Sequence, residues 1–139
     1  LPALGRHCSR AQQARQGGPV NPLRRLPADG SVLRLVTIHS PDTRRDELIV
    51  GARTGPALNG DACAWRVVAT FIPRIGDPVA VNLEAHDCGA SGVVEYPYCG
   101  ALAVPAGGPW DRIEVGACAP VAAVHTGAVA LVATLGRAP

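Results

Sequence analysis

The sequence predicts an all-β fold: a single antiparallel β-sandwich or jelly-roll-like domain of about eight or nine strands, preceded by an extended or short-helical N-terminal arm. Three observations carry this. Apolar residues fall at alternate positions on both sides of a Gly/Pro loop between 62 and 88. Short apolar runs recur along residues 31–139, separated by Gly, Pro and Asn, with no helical period among them. Residues 1–30 carry few large apolar side chains.

In the arm, Ser9-Arg10-Ala11-Gln12 has the form of a capping box, so a short helix over about 10–16 would end at Gly17-Gly18. Pro19, Pro22 and Pro27 then hold the chain extended. The body, 31–139, opens with strands at 32–39 and 46–52, rich in branched side chains. Cys63, Trp65, Val67, Ala69 and Phe71 form one apolar face of the next strand, and Val79, Val81, Leu83 and Ala85 one face of its successor, across Pro73-Arg74-Ile75-Gly76-Asp77-Pro78. Opposed residues of an antiparallel pair share a face. The hairpin register is therefore Trp65 with Ala85, Val67 with Leu83, Ala69 with Val81 and Phe71 with Val79. Further strands are expected at 92–97, 99–104, 111–118, 121–126 and 128–135. The long uncharged window from Val115 to Gly136 contains Pro120, His125 and Gly127 and reads as buried strands, not a membrane span.

The 139 residues suffice for one domain that buries roughly two-thirds of its unfolded surface. A composition of 47% hydrophobic and 17% charged residues excludes a disordered chain. All 13 basic residues are Arg. Residues 1–28 carry Arg6, Arg10, Arg15, Arg24 and Arg25 and no acid, giving +5 − 0 = +5, whereas residues 29–139 carry eight Arg against eleven acids, giving 8 − 11 = −3. The five arm arginines are candidate contacts to a partner surface or to phosphate. The chain lacks an initiator Met and a signal-peptide pattern, so it reads as processed or cut from something longer.

Five cysteines, at 8, 63, 88, 99 and 118, show no C-x-x-C or zinc spacing. In a small β-rich chain they suggest an oxidising compartment and about two disulfides among Cys63, Cys88, Cys99 and Cys118, with Cys8 unpaired or intermolecular. Cys63 and Cys88 fall out of the hairpin register, which argues against pairing them with each other. No cofactor or metal is implied.

Other constellations are weaker. Asn82, Glu84 and His86 share a face of the 79–88 strand with Cys88 beyond them, the start of a cation or acid–base site, although a polar outer face is the plainer reading. Asp42, Asp46 and Glu47 gather acids, but beside two Arg they read as surface ion pairs. Tyr96 and Tyr98, around Pro97, are candidate interface anchors unless they share the inward face of Leu102 and Val104. The aromatic content, 4%, disfavours a carbohydrate platform.

Two resemblances follow. His39, Asp61 and the Gly89-Ala90-Ser91-Gly92 turn stand in the order of the chymotrypsin-like proteases, but Ala90 replaces their Asp, and 91 − 39 = 52 residues leave no room for two barrels between His39 and Ser91. A basic arm before a jelly roll resembles the coat proteins of small viruses, in architecture only. The expectation is a non-catalytic, extracytoplasmic interaction or structural module, a subunit of a larger assembly that contacts a protein partner or copies of itself. The alternatives are a small secreted hydrolase using His39 or His86 with an acid, and a coat-like protein whose arm contacts nucleic acid.

Overall fold

The alternating apolar positions do fold as paired ribbons. A computed structural model describes residues 22–42, 45–54, 65–83, 86–87, 98–119 and 127–137. Its strands are β1 (Arg24–Arg25), β2 (Leu33–His39), β3 (Glu47–Thr54), β4 (Arg66–Pro73), β5 (Val79–Leu83), β6 (His86–Asp87), β7 (Tyr98–Ala103), β8 (Trp110–Cys118) and β9 (Ala128–Gly136). They form a five-stranded sheet in the order β1-β9-β3-β7-β6 and a four-stranded sheet in the order β2-β8-β4-β5. Every neighbouring pair is antiparallel.

The pairing is nested: β1 with β9, β2 with β8, β3 with β7, and β4 with β5. Successive pairs go alternately to the two sheets, joined there by the β9–β3 and β8–β4 contacts. One long ribbon rolled this way is a jelly roll, the more specific of the two expected forms.

Register follows the hydrophobic pattern. Val67 faces Leu83, Ala69 faces Val81 and Phe71 faces Val79, as the apolar matching requires. The fourth expected pair involves Ala85, outside the described residues. Phe71, Val67 and Ala69 meet Ile113, Ala117 and Val115 across β8 on the inner face. From the other sheet come Leu48, Val50, Val129 and Leu131, all 2% exposed or less. In β2, Leu33, Val36 and Ile38 cannot share one face at strict period two. A register shift between Arg34 and Val36 lets Leu33, Val36 and Ile38 oppose Ala117, Val115 and Ile113.

The core also draws in the end of the arm. Arg24–Arg25 add a short edge strand to β9, and Leu26 beyond them is 1% exposed within the core. Asp29 then makes the turn into β2, accepting from the Ser31 amide at 2.9 Å and hydroxyl at 2.6 Å. β3 and β9 are buried on their outward side as well, at Ile49, Ala130 and Val132. Their near-continuous apolar runs reflect this, as does the uncharged window around β9.

Candidate interaction surfaces

The expected disulfide set requires correction at Cys118. Cys118 carries a free, half-buried thiol, and no disulfide joins two described residues. Cys99 and Cys118 are not bridged for a topological reason. Cys99 opposes Gly51 on the outward row of the β3–β7 pair, and Cys118 opposes Arg66 on the outward row of the other sheet. The sandwich separates them, roughly 10 Å between sheets. Cys99 is disulfide-bonded, and Cys8, Cys63 and Cys88 lie outside the described residues.

The expected 79–88 strand divides. β5 ends at Leu83 on the edge of one sheet, and β6, at His86–Asp87, pairs with β7 in the other. Asn82 and His86 therefore stand on different sheets and do not share one face. Asn82 is exposed, and Glu84 lies outside the described residues. His39 is exposed at the end of edge strand β2, opposite Arg112 rather than an acid. Asp61, Ser91 and His125 lie outside the described residues. Among the described residues no three His, Cys, Asp or Glu side chains gather to hold a metal.

The outward face of the four-stranded sheet is polar. Glu114, at its centre on β8, accepts from Arg34 Nη1 on β2 at 3.0 Å and from Arg112 Nε at 3.1 Å. These hydrogen bonds, the Arg112 one foremost, hold the Glu114 carboxyl below its ordinary range. Arg112 also reaches Asp111 at 3.3 Å. The cluster clips an edge strand to its neighbour.

Of the arm candidates, Arg24 and Arg25 are exposed on β1. Arg6, Arg10 and Arg15 lie outside the described residues, as does Tyr96. Tyr98 opens β7, its backbone opposite Ala52 and Asp87.

Sequence reasoning missed the end of the sandwich where the β2–β3 and β7–β8 connections meet. A cleft of about 370 Å³ opens there between the sheets. Trp110, Ile113, Val104 and Leu135 line it, with Pro41, Pro105 and Pro109 on its walls and Asp42, Arg45 and Asp46 beside it. Arg45 and Asp42 pair at 3.7 Å, as expected of this acid cluster. Trp110 is held in place: its indole N–H donates to the Pro105 carbonyl at 3.3 Å, and its ring meets Phe71 at 5.6 Å between centroids. The signal was Gly107-Gly108 ahead of a lone Trp. A side chain at Gly108 would press the indole at 3.3 Å, and Gly107 has φ +115°.

Beside the cleft, Pro73 pairs with Trp110, so the β4–β5 turn leaves the same end of the sandwich. Ile75 at its tip is 89% exposed, the turn being made by Gly76 at φ +110°. β5 itself closes its sheet with one edge open among the described strands. Its residues Val79, Ala80 and Asn82 are exposed, and it bears no charge. Natural sheet edges are ordinarily blunted by charge, bulges or cover.

Among the described residues no helix is long and apolar enough to cross a membrane. Compared with protein-family models, with curated proteins and with solved structures, the chain matches none.

Proposed function

We propose that this chain is a non-catalytic structural module that works as a subunit of a larger assembly, through protein–protein contacts. One observation carries the reading: among the described strands β5 is an uncharged, exposed edge strand, continuous with a turn that exposes Ile75. Such an edge presents unpaired backbone N–H and C=O groups to a partner and lacks the lysines, acids or bulges that would discourage pairing. Val79, at 37% exposure, and Ile75 add apolar area beside it.

Amide hydrogen exchange over a concentration series tests this. The outward amides of β5 gain protection as the protein is concentrated from the micromolar to the millimolar range. Unchanged β5 exchange across that range counts against the reading.

The nested strand order also favours a second, coat-like reading, because jelly rolls recur in capsid proteins and β1 exposes Arg24 and Arg25 at the end of a basic segment. Fold alone does not decide function. Binding to single-stranded nucleic acid that weakens steeply with salt and vanishes on removing residues 1–21 would select this reading.

A further inference from the structure

We propose that the β4–β5 turn, with Ile75 at its apex, inserts into the Trp110 cleft of a second copy of this chain. The proposal rests on the assembly reading and names its contact. The molecule carries an apolar knob and an apolar hole at the same end. The knob is Ile75, at 89% the most exposed large hydrophobic among the described residues, presented between Pro73 and Pro78, whose fixed φ limits the ordering cost of docking. The hole, about 370 Å³ over Trp110, Ile113 and Leu135, is of the size and lining that accepts such an anchor.

The charges around the two also match. Arg74 and Asp77 flank Ile75, one of each sign, and the cleft is bordered by Asp42, Asp46 and Arg45, acids and a base together. Seating the turn brings Arg74 toward Asp42 and Asp77 toward Arg45, extending an existing pair into a four-charge network. Charges placed in this way set orientation and exclude other partners more than they add affinity. A patch fitting a pocket elsewhere on the same molecule is the ordinary origin of self-assembly.

Sedimentation velocity on the full chain tests the contact. Ile75→Asp removes the knob, and Pro41→Arg puts a long charged side chain into the hole. Each alone should weaken self-association by about tenfold or more. Mixed in equal amounts they should form a one-to-one pair, because one variant keeps the hole and the other the knob. If Pro41→Arg fails to fold, a charge swap replaces it: Asp77→Arg weakens association and Arg45→Asp in the same chain restores it. Wild-type protein that associates while Ile75→Asp associates equally well overturns the contact and leaves the assembly reading standing. A mixture, or a swapped double variant, that stays monomeric also overturns it. A wild-type chain that never associates removes both.

Discussion

Two residues show how local chemistry sets the limits of this fold. Gly116 on β8 has no room for a side chain: an added Cβ would stand 2.4 Å from the Leu33 carbonyl oxygen and 2.8 Å from Val32 Cγ1. The first obstacle is backbone, so it yields only if the β2 bulge moves. Gly116→Ala should cost about 1–3 kcal/mol, read from the urea midpoint at unchanged slope. Glu114 is the second. Its carboxyl titrates lower folded than the ordinary 4.5, chiefly through the Arg112 hydrogen bond. It therefore stabilises the fold above that ordinary value, and the contribution disappears as pH falls through the lowered folded value. Glu114→Gln should lose about 0.5 kcal/mol at neutral pH, a loss that shrinks as pH falls through the lowered folded value. A loss that does not change with pH would place its role in packing instead. Neither residue was legible in the sequence, because each acts through a strand far away in the chain.

At the scale of elements, pattern and structure agree where one face is buried and the other wet. The β4–β5 register could be read directly, because Val67, Ala69 and Phe71 have to meet Leu83, Val81 and Val79. The pattern gave out where another force intervened. Continued alternation past Leu83 suggested one strand to 88, yet the chain crosses to the other sheet before His86, which dissolves the Asn82–His86 site. The arm's last residues had too few apolar neighbours to be read as core, but Leu26 reaches the interior by pairing of β1 with β9. Leu26→Ala should therefore cost about 2–4 kcal/mol in a denaturation experiment. A loss below about 0.5 kcal/mol, typical of surface positions, would return β1 to the arm.

Across the whole molecule, the sequence foretold a sandwich but could not order its strands, since nesting is a property of contacts between distant segments. Nor did it reveal the cleft, which assembles from the β2–β3 and β7–β8 connections and from residues of β8 and β9 around Trp110. Its cysteines misled: spacing permitted a Cys99–Cys118 bridge that the two-sheet layout forbids. Among its described residues the molecule presents an uncharged strand edge, a turn tipped by exposed Ile75 and a cleft over Trp110. Sedimentation equilibrium of the full chain, from micromolar to near millimolar, measures the consequence most directly. The average mass should rise with concentration above the 14.3 kDa of one chain. A mass fixed at 14.3 kDa throughout would contradict assembly from copies of this chain.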